Sequence, residues 1–221
     1  MMMEELSMMQ RIAVWVLPVV FAITVHEVAH GWVAKQYGDK TAWMLGRLTL
    51  NPLRHIDPVG TILLPGLLLL SGTGFIFGWA KPVPVNPGNL RNPKRDMALV
   101  AMAGPAANLL MALGWAMMAR LGILVDTAFA SLPMIYMGIA GISINLVLAI
   151  INLLPIPPLD GSRILSGILP DRLAWQYNRF EPYGFYLLLF LLATGLLGAM
   201  LGYPLALAQQ MFFQIAGLVP G

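Results

Sequence analysis

At 221 residues, with 58% hydrophobic and 10% charged side chains and a mean hydropathy of +0.76, the chain is too apolar for a water-soluble domain and reads as a polytopic membrane protein. The net charge of +3 is small, and its Lys and Arg fall in loops, which suits orientation in a lipid bilayer and argues against a nucleic-acid partner. Cysteine is absent, so disulfides, thiolate ligands and a cysteine nucleophile are excluded, and any metal chemistry falls to His, Asp and Glu.

The first predicted helix covers 10–36. Few cationic residues precede it, and cleavage of this stretch as a signal peptide would discard the first candidate site. That site is His26-Glu27-Val28-Ala29-His30. Positions i and i+4 lie on one helix face about 6 Å apart, close enough for both imidazoles to bind one metal ion. Glu27 is then placed as general base for a water activated there. Ionisable groups at membrane depth are expensive and mark functional sites. The alternative, three core polar groups satisfied by other helices, leaves the ligand spacing unexplained.

Residues 57–80 are apolar but carry Pro58, Gly60, Pro65, Gly66, Gly72, Gly74 and Gly78, too much punctuation for a simple span. Within and beyond them, 74–86 has strand-like composition and reads as a re-entrant strand or hairpin. Such a segment offers an edge to an extended substrate by strand addition, the alternative being a loop that merely packs. Helices are predicted again at 95–119, 133–154 and 181–202, with a weaker apolar run at 203–218. The fold class is therefore an all-α polytopic membrane protein, one domain over 1–221, with about five or six transmembrane helices and a re-entrant segment.

Charge selects the topology. If 57–80 enters the membrane and returns, Lys35, Lys40, Arg47, Arg54, Lys81, Arg91, Lys94, Arg95, Arg163, Arg172 and Arg179 share one side, leaving Arg11 and Arg120 on the other, eleven against two. A single crossing gives five against eight. The positive-inside rule favours re-entry, with the richer side cytoplasmic.

A catalytic zinc usually takes three protein ligands. A third histidine six residues after His30 would fall at Gln36, and the only downstream Glu is Glu181. Among the six Asp, Asp160 stands out, because Pro155, Pro157 and Pro158 break the preceding helix and bring its carboxylate back to an apolar setting. Re-entry puts His26, His30 and Asp160 in one leaflet, whereas a single crossing separates them. His55, the remaining histidine, falls beside Arg54 and Asp57 in an interfacial loop and reads as a structural hydrogen-bonding group.

These elements together resemble the site-2 proteases, a family of intramembrane zinc metalloproteases. His26 to His30 matches HExxH. Gly46-Arg47-Leu48-Thr49-Leu50-Asn51-Pro52 resembles the segment after it, Phe77 to Val85 the membrane-entering strand region, Gly104-Pro105 with Asn108 the GPxxN element, and Asn152 to Gly161 the NxxPxPxLDG element. The resemblance spans about 20–165, with C-terminal helices beyond it at about 181–218. It implies one Zn2+ held by His26, His30 and Asp160, with Glu27 as the catalytic residue. It further implies that Asn152, Asn108, Trp79, Lys81 and Pro82 help to hold an unwound substrate, the partners being single-span membrane proteins and the bilayer. A multi-pass enzyme of the cell membrane with its site toward the cytoplasm follows. No stretch resembles a PDZ domain or a CBS pair. A membrane metal transporter, which would need polar groups continuing across the bilayer, and another class of intramembrane zinc peptidase are the alternatives.

Overall fold

The computed structural model describes residues 6–63, 67, 78–125 and 127–219. In chain order its helices are α1 (Met8–Gln36), the single turn α2 (Thr41–Met44), α3 (Pro93–Leu124), α4 (Ala128–Asn152), α5 (Asp160–Ile168), α6 (Asp171–Asn178), α7 (Glu181–Ala193) and α8 (Leu196–Ala216). Helices α1, α3, α4 and α8 are long and apolar enough to cross a membrane, and α7 is a shorter apolar helix. The protein is an all-α membrane protein, as its composition requires.

Helix α1 starts where Ser7 Oγ accepts the Gln10 N–H and Gln10 Oε1 accepts the Ser7 N–H, a reciprocal cap that satisfies two orphan donors. It runs antiparallel to α3, since His26 meets Asn108 while His30 meets Val100. Helix α4 is antiparallel to α3 in turn. Small residues set both approaches. A Cβ on Gly138 would lie 2.6 Å from Ala119 Cβ, and one on Gly141 would lie 2.2 Å from the Trp115 ring. Ala112, Ala116 and Ala119 are fully buried on the same stripe of α3. Lipid tails are as apolar as leucine, so helices in a bilayer associate through such close packing rather than through hydrophobic transfer. The outer faces carry the largely exposed Leu110, Leu124 and Phe129, the surface that lipid covers.

The middle of the 57–80 run, 64–66 and 68–77, lies outside the described residues, but its two ends are side by side. The Trp79 N–H donates to Gly60 O at 3.1 Å, Thr61 Oγ1 donates to Trp79 O at 2.8 Å, and the Lys81 N–H donates to His55 O at 2.9 Å. The two described ends therefore lie on one side, as re-entry requires and a single crossing forbids.

Three expectations change. No strand occurs among the described residues, and the described part of 74–86 runs without strand pairing. Pro82 and Pro84 lack an N–H, and the donors of Trp79, Lys81, Val83 and Asn86 are spent on scaffold groups, so the alternating donors that a ladder needs are missing or committed at most of these positions. The 181–202 run is two helices, because Gly195 takes φ +75°, a left-handed conformation that ends α7 and that glycine adopts without penalty. Helices α5 and α6 have no counterpart in the apolar pattern because both lie outside the spans.

At one end of the pair, Glu181 lies 3.6 Å from Arg163, and at the other the Ile215 carbonyl accepts from Arg120. Helices α7 and α8 thus make one net crossing. Single cysteines at Arg54, Asn89 and Arg172 are expected to react with an impermeant thiol reagent from one face of the membrane, and cysteines at Ser7, Leu121 and Val219 from the other. Labelling of position 89 from the face opposite position 54, or of 219 from the face of 89, would refute this topology.

Candidate metal centre

His26 and His30 occupy successive turns of α1, and Asp160 opens α5. Glycine makes the meeting possible. A Cβ on Gly104 would lie 2.5 Å from both His26 Cε1 and His30 Nε2, so α3 can pass against the imidazoles only with hydrogen at that position. Helix α3 continues through Pro105, so the Gly-Pro pair serves close approach and no local break forms. On the other side, 153–159 folds back through Ile156 N–H to Leu154 O and Leu159 N–H to Ile156 O, and Tyr177 donates to Pro155 O. A Cβ on Gly161 would strike Leu153 O at 2.3 Å, so the glycine after Asp160 is what lets this turn close.

The result is a compact triangle. His26 Nε2 and His30 Nε2 are 3.0 Å apart, and each lies 3.3 Å from Asp160 Oδ2. Partner chemistry fixes the protons. His30 Nδ1 is 2.8 Å from Val100 O, a pure acceptor, so Nδ1 carries the hydrogen. His26 Nδ1 is 2.5 Å from Asn108 Oδ1, whose own amide nitrogen donates to Asn145 Oδ1 at 2.8 Å and Ala22 O at 3.5 Å, so it too must donate. Both Nε2 atoms then present lone pairs, and the buried Asp160 Oδ2 has no hydrogen-bond partner. Three acceptors face one another with no proton between them, an arrangement that a cation resolves. Tetrahedral zinc with bonds of about 2.0–2.1 Å has ligand-to-ligand edges of about 3.3 Å, which these separations match. Among the described residues, His26, His30 and Asp160 form the one cluster of this kind.

Glu27 lies beside the triangle with its Oε2 accepting the Val83 N–H at 2.7 Å. Expected substrate contacts fall elsewhere in part. Asn108 is fully buried with its amide committed to His26, Asn145 and Ala22, so it orients a ligand and cannot reach a substrate. Asn152 donates to Leu148 O one turn back on its own helix. Trp79 meets Phe185 of α7 edge-on at 6.1 Å, and the Lys81 and Pro82 carbonyls accept from Arg47 while their side chains are exposed. His55 is buried with Nε2 on Thr49 O, a structural role.

Sequence reasoning passed over three residues that support the site. Asn145 extends the network from Asn108 to Gly141 O. Its signal is an amide in an otherwise apolar helix. Val83 supplies the donor to Glu27, which no side-chain pattern reveals. Asp39, fully buried, accepts from the Thr41, Asn86 and Asn89 groups and ties 86–89 to the end of α1. Burial pushes its carboxyl up, but these donors together hold it below the usual carboxylate range.

Two imidazoles and a carboxylate around one point, with a second carboxylate alongside, sunk among apolar helices, define a membrane-embedded metallohydrolase centre. The chain belongs to peptidase family M50, the site-2 protease family. The model of that family matches residues 114–195, which include Asp160. The chain is 41% identical over 185 residues to the "Putative zinc metalloprotease YwhC" of Bacillus subtilis, covering 82% of this chain and 80% of that one. It is 33% identical over 185 residues to the similarly named Rip2 of Mycolicibacterium smegmatis (83% and 66%) and 33% identical over 145 residues to MJ0611 of Methanocaldococcus jannaschii (64% and 63%). No solved structure matches the chain.

His26→Ala, His30→Ala and Asp160→Ala should each lower bound metal measured on purified protein, and Asn108→Ala should weaken metal affinity about 10- to 100-fold through loss of ligand orientation. His55→Ala should retain the metal. Metal loss from His55→Ala alone would transfer the third-ligand assignment. For Asp39, a depressed folded pKa means that its contribution to stability is present above the ordinary aspartate range and lost as pH falls through the lower folded value. Asp39→Asn should therefore reduce stability near neutrality and shrink the loss on acidification, as read from melting temperatures across pH.

Proposed function

We propose that this protein is an intramembrane zinc metalloprotease that hydrolyses peptide bonds in or near the transmembrane segments of other membrane proteins, and that it acts in regulated intramembrane proteolysis. The observation that carries this reading is the position of the ligand triangle. His30 and His26 lie about 9 and 15 Å in from the C-terminal end of α1 at Gln36, at 1.5 Å per residue, on a helix whose neighbours are apolar. A peptide that reaches them must itself sit within the bilayer. The eleven-to-two charge split supports a cytoplasmic approach for water and a location in the cell membrane.

Zinc bound by His26, His30 and Asp160 would supply a Lewis acid that polarises a scissile carbonyl and makes water acidic near neutral pH. The protein's own part is proton movement and orientation. The Val83 N–H holds Glu27 by Oε2, leaving Oε1 to take a proton from the attacking water. Glu27 then delivers that proton to the amide nitrogen as the C–N bond breaks, and the neutral amine leaves. Asn108 and the Val100 carbonyl keep both imidazoles in the tautomer that presents Nε2, so neither ring can act as a competing donor at the site. A bond inside a helix is shielded by its own hydrogen bonds, and the substrate must be locally unwound to react.

Glu27→Gln should retain zinc, since all three ligands remain, and lose about 10²- to 10⁴-fold in proteolysis with the general base removed. Purified protein incubated with a panel of single-span substrates, with and without chelator, reads both quantities on one preparation. Wild-type cleavage by the variant would eliminate Glu27 as base. Cleavage insensitive to chelator would eliminate the metal mechanism.

A further inference from the structure

The carboxylate of Glu27 is held from outside its own helix, and the holder is itself held. Arg47 Nη2 donates to two successive carbonyls, Lys81 O at 3.0 Å and Pro82 O at 3.3 Å. The next residue, Val83, lays its N–H on Glu27 Oε2 at 2.7 Å. Its side chain is buried over Gly31, one turn beyond Glu27. A Cβ on Gly31 would lie 2.8 Å from Val83 Cγ1 and 2.5 Å from Cδ2 of Leu48, the neighbour of Arg47. Residues 47–48 and 81–83 therefore sit as one unit in a notch cut by Gly31. Prolines on both sides of Val83 restrict the backbone and remove competing donors, so the Val83 N–H is the only one from 82 to 84.

From this geometry we propose that Arg47 is a positioning residue for proteolysis: by holding the 81–82 peptides it fixes the Val83 N–H that aims Glu27. The proposal rests on the reading of Glu27 as the general base. A guanidinium suits the task, because it stays charged at all working pH and its charge-assisted bonds are roughly twice as strong as neutral ones. Without it the two carbonyls lose their donor, and the peptide carrying the Val83 N–H, left to the Lys81 N–H bond to His55 O and the seat of the Val83 side chain, can shift along α1. Misplacement of a reacting group by about 1 Å costs about 100-fold in rate. Arg47 touches neither metal ligand nor reacting atom, so its loss should be felt in turnover and spare both metal and substrate affinity.

The test compares Arg47→Met, Arg47→Lys and Val83→Pro in full-length protein, with zinc content measured on each and kcat and KM on a fluorogenic single-span peptide that the wild type cleaves. Arg47→Met is expected to keep its zinc, to hold KM within about 2-fold, and to lose about 10- to 100-fold in kcat. Arg47→Lys, which retains one charged donor, should recover part of that loss. Val83→Pro deletes the N–H directly and should reproduce the Arg47→Met defect. Wild-type kcat in a zinc-loaded Val83→Pro would overturn the proposal, as would a defect of Arg47→Met confined to KM. If neither Arg47→Met nor Val83→Pro retains zinc, Arg47 serves folding and the proposal falls. Glu27→Gln in parallel separates the two readings: an active Glu27→Gln removes the base itself, whereas an inactive one beside a fully active Arg47→Met removes only the role of Arg47.

Discussion

Three lone pairs converging without a proton between them, two from imidazoles and one from a carboxylate, are the constraint on which the rest of this structure depends. In an apolar bundle such a cluster is costly by itself, since each group has left water and its neighbours repel it. Most polar features of the membrane-embedded half exist to hold it. Asn108 and the Val100 carbonyl set the two tautomers, Asn145 holds Asn108, and Gly104 yields the space into which the rings point. Each would be a poor choice for an inert span. Together they make the cluster ready for a cation and for little else.

The second half of the site is brought by a segment that does not cross. Residues 78–90 are stitched to the end of α1 through Asp39, to the loop after α2 through Arg47, and to the start of the re-entrant run through Gly60 and Thr61. Hydrogen bonds from its backbone go inward at Lys81, Val83 and Asn86. The stretch is therefore a support for Glu27 before it is anything for a substrate.

Contacts between the helices follow from the solvent. Where water drives association, large side chains fill the interface; here alanine and glycine bring α3 close to α4, with Trp115, Ile142 and Leu146 fitted among them, and many other bulky side chains look outward. The same rule explains why glycine recurs at the site. Gly31 admits the Leu48 and Val83 side chains, Gly104 the two imidazole rings and Gly161 the Leu153 backbone, each of which a Cβ would displace. Close approach is how a bundle of modest size places a ligand on α5 within 3.3 Å of two on α1.

Membrane residence, the ligand-spaced histidine pair, the Asp160 carboxylate that meets it and the return of the 57–80 run to its starting side were legible in the sequence. The reason is that ionisable groups are rare in lipid and conspicuous when present, and a helix places i and i+4 on one face whatever surrounds it. The strand reading of 74–86 did not carry over to its described part. Composition records what a segment favours, and the prolines and the competing acceptors on α1 and in the loops decide what its donors actually meet. Asn108 was placed near the site by motif alone, yet whether its amide turned to a substrate or to His26 depended on where α4 put Asn145. The break at Gly195 rests on its left-handed backbone, and the net single crossing of α7 and α8 on the packing of Arg120 against Ile215 and of Glu181 near Arg163. Sequence alone singled out the ionisable groups of the candidate site, because their types and helical spacing are local properties. The tertiary structure decided which atoms face one another, because a hydrogen bond from a backbone N–H such as that of Val83 has no side-chain signature and exists only once distant segments have packed.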